Sequence, residues 1–311
     1  MRKNTINHPA FSRNYGFWNE AEQDALINST VAIAGVGGDG FQLGYKLAMK
    51  GVGEIRVADP EAFEPENSNR VLAATTPNVG RNKAEVFKEM VEALPASPKV
   101  TIYDDGVISE NVEEFLYGAD LYLDESELLK PEIGTLLART ALKQETPGLL
   151  VMNIGFAGIA TSLRGGDFEK IMGIPKDMPL DEVAEMKVDL SRCVPYIPPY
   201  GDYRTLLATQ GGAPLPTISE GVDMASGLGS TEAFLHLTYG IGNNRKEPTW
   251  APRYRFMDAY TNKSGVIRYP RASYYLGATA AFARTKLGLN PEADYQDDAR
   301  KRRTDAHSRS A

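Results

Sequence analysis

Thr30-Val-Ala-Ile-Ala34 runs directly into Gly35-Val36-Gly37-Gly38-Asp39-Gly40 and then into Phe41-Gln-Leu-Gly-Tyr-Lys-Leu-Ala-Met49. A short β-branched apolar run, a glycine turn and a segment with helical spacing of its apolar residues follow one another, which predicts strand, turn and helix in that order. Glu54-Ile-Arg-Val-Ala58 reads as a second strand ending at Asp59, so the chain opens as a βαβ unit with parallel strands.

Outward from that unit the alternation continues. Asn19-Glu-Ala-Glu22 carries a helix cap with its partner three residues on and starts a helix to about Asn28. Asn82 to Leu94 is amphipathic, Lys99–Tyr103 extended, Ser109–Leu116 a short capped helix, and Ala119–Leu123 extended before an acidic cluster. Lys130–Gln144 is helical and Gly148–Asn153 extended. The expected fold is α/β: a Rossmann-like, doubly wound, mostly parallel sheet with helices on both faces. From about Gly165 the pattern loosens, and Cys193-Val-Pro-Tyr-Ile-Pro-Pro-Tyr200 is too rich in proline for a helix or a central strand, so a long surface excursion is expected there. Val222–Tyr239 is an apolar helix whose Gly227 and Gly229 suggest close packing, and Arg253–Tyr260 with Gly265–Tyr269 reads as a hairpin that extends the sheet antiparallel. The expected organisation is therefore a helical arm over 1–29, a nucleotide-binding core over 30–165, an excursion over 166–217, a helix and hairpin over 218–289, and a disordered tail over 290–311.

The chain has 311 residues, and its 34 Lys plus Arg against 41 Asp plus Glu give a net charge of −7. An acidic balance, with basic residues clustered only at Arg300-Lys-Arg-Arg303, argues against nucleic acid as the main ligand. No apolar stretch is long enough for a membrane span and no signal peptide is apparent, and the single Cys193 can form no internal disulfide, so a cytoplasmic setting is expected. Triad and metal-hydrolase chemistry find no matching spacing, since His236 lies in the apolar helix and His8 and His307 lie in the termini.

A glycine turn between strand and helix binds phosphates through close backbone approach and the free N–H groups of the helix start. An acidic residue about twenty positions on, here Asp59, is placed to hold a ribose hydroxyl. Behind it come Glu66-Asn67-Ser-Asn-Arg70 and Gly80-Arg-Asn-Lys83. These loops share the crevice at the C-terminal strand ends, where Asn67, Arg70 and Lys83 can converge on a polyphosphate and neutralise the charge that builds up when its α-phosphate is attacked.

Taken together, Gly35 to Gly40, Gly51-Val-Gly53, Asn67 to Arg70 and Gly80 to Lys83 resemble the ThiF/MoeB/HesA family, the adenylating relatives of ubiquitin-activating enzymes. The resemblance runs from about Phe11 to Gly158 and beyond Asp167 is confined to Val222–Tyr239. It implies an ATP- and magnesium-dependent adenylyltransferase, a homodimer, that activates the carboxylate of a small carrier protein or peptide as an acyl-adenylate and releases pyrophosphate. It further implies that Gly35, Gly37, Gly38 and Gly40 form the nucleotide turn, that Asp59 holds the ribose, and that Asn67, Arg70 and Lys83 contact phosphates. Arg13 resembles the arginine that reaches the ATP of the partner subunit. Glu127 stands where the family places a magnesium-binding aspartate, with Asp124 a second candidate ligand. The CxxC pairs that hold zinc in many members are missing, so no zinc is expected. Cys193 lies where related enzymes carry a thioester-forming cysteine, with only Arg192 nearby to favour a thiolate. Two alternatives stay open: a non-catalytic ATP-binding partner subunit, and an NAD(P)-dependent oxidoreductase, which would leave Asn67, Arg70 and Lys83 without a purpose.

Overall fold

The computed structural model describes residues 5–201, 208–209, 215–269, 283 and 287. The chain divides into two compact units, Met1–Pro198 with Pro216–Pro270 and Pro199–Leu215 with Arg271–Ala311. The sheet and the candidate site both belong to the first. The tail expected over 290–311 lies outside the described residues.

Helix α1 (Glu20–Asn28) starts with the expected capping box: Asn19 accepts from the Glu22 N–H and the Glu22 side chain accepts from the Asn19 N–H. Then come β1 (Thr30–Ala34), α2 (Gly38–Lys50), β2 (Glu54–Ala58), α3 (Lys83–Glu92), β3 (Lys99–Tyr103), α4 (Val112–Leu116), β4 (Leu121–Asp124), α5 (Pro131–Gln144) and β5 (Gly148–Ile154). The second half adds β6 (Ala157–Leu163), α6 (Asp167–Met172), α7 (Leu180–Ala184), α8 (Leu190–Cys193), α9 (Ser219–Thr238), β7 (Arg253–Asp258) and β8 (Lys263–Arg268). Among the described residues eight strands form one sheet in the order β3-β2-β1-β4-β5-β6-β7-β8. Pairs from β3 to β5 are parallel and pairs from β5 to β8 antiparallel, as the α/β reading with an antiparallel extension requires.

Alternation along β1 divides the core. Val31 and Ile33 join Ile55, Val57, Leu121 and Leu123 under α2, α3 and α9, while Ala32 and Ala34 join Ala58 and Tyr122 under α4 and α5. Phe41 of α2 meets Phe87 of α3 and Phe63 of the intervening loop edge-on, at centroid distances of 5.3 and 6.3 Å. Each such buried ring contributes roughly 2–3 kcal/mol of transfer free energy and clamps the helix carrying the glycine turn to its neighbours.

Three local readings are corrected. Strand β6 has no counterpart among the sequence expectations; it returns from β5 through Gly155-Phe156, and its residues are buried throughout, so no alternation marks it. The short helix before β4 begins at Val112 rather than Ser109, because Asn111 is spent on the preceding loop, accepting from the Ile108 N–H and donating to the Gly106 carbonyl. The stretch after Gly165 carries the short helices α6, α7 and α8 and is not superficial: Phe168, Met172, Val183, Leu190 and Cys193 build a third core cluster against Leu150 and Leu163.

Candidate active site

The crevice opens at the C-terminal end of β1, where the chain must turn sharply into α2. Gly35 sits at φ +95°, and a Cβ there would fall 2.3 Å from the Glu125 carbonyl oxygen. At Gly40 a Cβ would fall 2.1 Å from the carbonyl oxygen of Gly35. These two glycines make the turn possible. Gly37 and Gly38 serve the opening instead: a Cβ on Gly37 would meet nothing within 4 Å, and one on Gly38 would touch only Val222 and the Arg70 stem. The start of α2 thus presents unpaired N–H groups and its positive dipole end to open space.

Asp59 ends β2 beside this turn and is 4% exposed. Its Oδ2 accepts from the Val36 N–H at 2.8 Å and its Oδ1 from the Glu61 N–H at 2.9 Å, while burial pushes its carboxyl above the usual range. Its main-chain oxygen accepts from Asn82 Nδ2 at 3.0 Å, and Asn82 Oδ1 in turn caps α3 through the Ala84 and Glu85 N–H groups. That chain of bonds delivers Lys83 to the crevice, where its buried Nζ donates to Glu61 Oε2 at 2.6 Å.

Arg70 lies along Gly38 and donates to the Glu66 carbonyl and to Asn69 Oδ1, leaving its guanidinium at the open side of the turn. Asn67 is buried and stabilises its own loop: Oδ1 accepts from the Glu64 N–H at 3.0 Å, and its carbonyl accepts from the N–H groups of Arg70 and Val71. Its contribution in this structure is to place Arg70. Arg13 is exposed and is not brought to this crevice. Its neighbour Phe11 packs against Gly51 at the far end of α2, about 20 Å from Gly37 for a helix of this length.

The two metal candidates turn to different partners. Asp124 is buried, its Oδ1 accepting from the Ser126 hydroxyl at 2.6 Å, and burial raises its pKa. Glu127 is exposed and pairs with Lys130 at 3.0 Å. Among the described residues no three His, Cys, Asp or Glu side chains are grouped to hold a metal ion. Asp124 and Glu127 are thus each engaged by a neighbour, Ser126 and Lys130, rather than turned to a common ion.

Cys193 is fully buried, and burial pushes its thiol up to about 12, opposite to what a thiolate nucleophile needs. His236 is packed, as the sequence suggests: its Nε2 lies 2.8 Å from Ser162 Oγ, its ring meets Trp250 edge-on, and burial lowers its pKa to about 4.

Beneath the glycine turn lie groups to which sequence reasoning gave no role. Asn153 Nδ2 donates to Asp39 Oδ2 at 2.8 Å, whereas Asp39 Oδ1, Asn153 Oδ1 and Glu125 Oε1 are buried without a partner. Burial raises Asp39 to about 7, against the opposing effects of Asn153 and Arg70. Glu125 is raised well above its ordinary value, first by burial and then by the charges of Asp39 and Asp124. The one available signal was Asp39 itself, an acid inside a turn shaped for anions.

Against known proteins, the ThiF family pattern matches residues 11–274. The chain belongs to the ThiF family. This ThiF-family chain is 32% identical over 148 residues to a tRNA threonylcarbamoyladenosine dehydratase of Bacillus subtilis, covering 47% of this chain and 57% of that one. It is 33% identical over 105 residues to a sulfur carrier protein adenylyltransferase of Thermus thermophilus, covering 34% and 39% respectively. The matched stretch thus spans little more than half the length of the first of these relatives. Its fold is also that of Escherichia coli MccB solved with ATP, with a TM-score of 0.61, 18% identity, and 86% of this chain and 74% of that one covered.

Proposed function

We propose that this ThiF-family protein is an ATP-dependent adenylyltransferase that activates the carboxylate of a small carrier protein or peptide as an acyl-adenylate. The observation that carries the reading is the open helix start at Gly37 and Gly38, flanked in one crevice by Arg70 and the buried Lys83. Relatives named for a sulfur carrier protein and for SAMP activation, and the likeness in fold to MccB solved with MccA, support a carboxylate carried by a protein or peptide. The dehydratase relatives are named for tRNA, but a chain with net charge −7 is poorly suited to a polyanion.

In this reading the ATP phosphates lie on the start of α2 and the ribose beside Asp59, whose oxygens keep lone pairs beyond those used by Val36 and Glu61. The substrate carboxylate, already ionised at neutral pH, attacks the α-phosphorus in line. The new P–O bond forms as the bond to the β-phosphate oxygen breaks, and pyrophosphate leaves with the electron pair. No general base is required, consistent with no histidine among the described residues of the crevice. Arg70 and Lys83 stabilise the negative charge on the phosphate oxygens in the transition state. Arg13 would serve the crevice of a second copy in a homodimer.

Exchange of labelled pyrophosphate into ATP, dependent on an added carrier protein or peptide, tests the reading. Arg70→Ala and Lys83→Ala should each lower the exchange rate by roughly 10²–10³-fold with unchanged melting temperature. Unchanged exchange in both variants, or wild-type protein that takes up no ATP with excess magnesium in calorimetry, would overturn it.

A further inference from the structure

Two ion pairs follow the C-terminal ends of β2 and β4, and the connection that carries the second adjoins the glycine turn through the Glu125 carbonyl beside Gly35. Lys83, the first residue of α3, pairs with Glu61 from the loop after β2 at 2.6 Å. Lys130, just ahead of α5, pairs with Glu127 from the same β4–α5 connection at 3.0 Å. The pairs are coupled. Glu61 is held below the usual carboxylate range first by the hydrogen bond from Lys83, and the charges of both Lys83 and Lys130 reinforce that hold after a smaller opposing effect of burial. Lys130 is raised first by its bond to Glu127, and Glu61 adds to the effect. β2 and β4 are the two neighbours of β1 in the sheet, so the two pairs flank the end of the strand from which the glycine turn emerges.

The Lys83 side chain is 8% exposed, whereas those of Glu61, Lys130 and Glu127 are 58%, 52% and 51% exposed. Ion pairs with that much water around them are weak and are exchanged readily. A polyphosphate brings several charges and many acceptor oxygens, and charge-assisted bonds to it are stronger than either pair. A lysine held by one exposed carboxylate is already extended into the crevice, so less side-chain freedom is lost when an anion takes the place of the carboxylate.

We infer that Lys130 is a second phosphate-binding lysine of this site, and that Glu61 and Glu127 are placeholders which hold Lys83 and Lys130 until the phosphates of a nucleoside triphosphate displace them. The inference rests on the reading of the crevice as an ATP site. It assigns to Glu127 a partner in the chain where the family resemblance implies a metal ion, and it predicts that neutralising a placeholder improves binding.

Calorimetric titration of ATP with excess magnesium into the full chain and its variants tests it. Lys130→Ala should weaken ATP binding about tenfold, Lys130→Arg should stay within about twofold of wild type, and Glu61→Gln should tighten binding about threefold, all with unchanged melting temperature. Wild-type affinity in Lys130→Ala, or equal weakening in Lys130→Ala and Lys130→Arg, would overturn the inference while leaving the ATP site intact. Weaker binding in Glu61→Gln would overturn the placeholder role. Absence of ATP uptake by the wild type would instead remove the reading on which the inference rests, which separates the two failures.

Discussion

Asp39 occupies the second helical position of α2, at the turn proposed to hold the phosphates. A carboxylate charged there would repel a polyphosphate, and its raised pKa of about 7 keeps much of it neutral near physiological pH. The same shift ties stability to pH. The folded state holds the Asp39 proton more tightly than the unfolded chain does, so between about pH 4 and pH 7 stability falls as pH rises, by at most ~4 kcal/mol, and is level above that. Asp39→Asn should therefore melt higher than wild type at pH 8, with the gap narrowing towards pH 5; thermal denaturation at the two values checks this, and an equal gap at both would contradict it. At this scale the sequence was partly legible. Glycine requirements are local, so Gly35 and Gly40 could be recognised from the run itself, and Lys83 from its place at a helix start. Glu61 and Lys130 gave no signal: Glu61 is 22 residues from Lys83, and Lys130 with Glu127 three residues before it looks like any solvated pair at a helix start.

Helix α9 and strand β6 show what element-level reading could and could not reach. The apolar character of Val222–Tyr239 marks a helix buried on most sides, and α9 packs on α2, β5 and β6. Which of its glycines matter is decided only by the sheet beneath it. A Cβ on Gly229 would come within 2.8 Å of Val151, whereas one on Gly227 would meet nothing within 4 Å, so the close packing expected of both belongs to Gly229 alone. Backbone meets backbone on the other partner: a Cβ on Gly158 of β6 would lie 2.3 Å from the Ala225 amide nitrogen. Backbone cannot yield as a side chain can. Gly158→Ala should destabilise by roughly 3 kcal/mol or more, and Gly227→Ala should stabilise by about 0.5–1 kcal/mol through helix propensity. Chemical denaturation of the two variants tests both, and a reversed order would show that α9 does not sit on β6 as described. Strand β6 itself escaped detection because a strand buried on both faces loses the period-two pattern by which strands are recognised.

For the whole molecule, the order of elements was readable up to β5 because each βα unit repeats a local rule, and the hairpin because its turn residues are local. The path between them was not. Proline content excluded helix and strand over Val194–Tyr200, but Cys193 closes α8, and its burial depends on apolar residues contributed by distant segments. The hairpin is tied to α9 by a buried ion pair, Arg255 Nη1 to Glu232 Oε1 at 3.0 Å, with Glu232 also accepting from the Thr249 N–H and hydroxyl. Breaking such a pair strands a charge inside the protein, so it fixes the seat of the hairpin more than it adds to stability.

Arg13 and the glycine turn of the same chain lie at opposite ends of α2. If a neighbouring copy supplies Arg13 to the ATP, as proposed, a lone subunit lacks one cation of its nucleotide pocket. Specific activity should then decline on dilution below the dimer dissociation constant, and ATP affinity measured over the same dilution series should weaken with it. A turnover rate per subunit independent of concentration from nanomolar to micromolar, with the protein monomeric at the lower end, would rule out the shared arrangement.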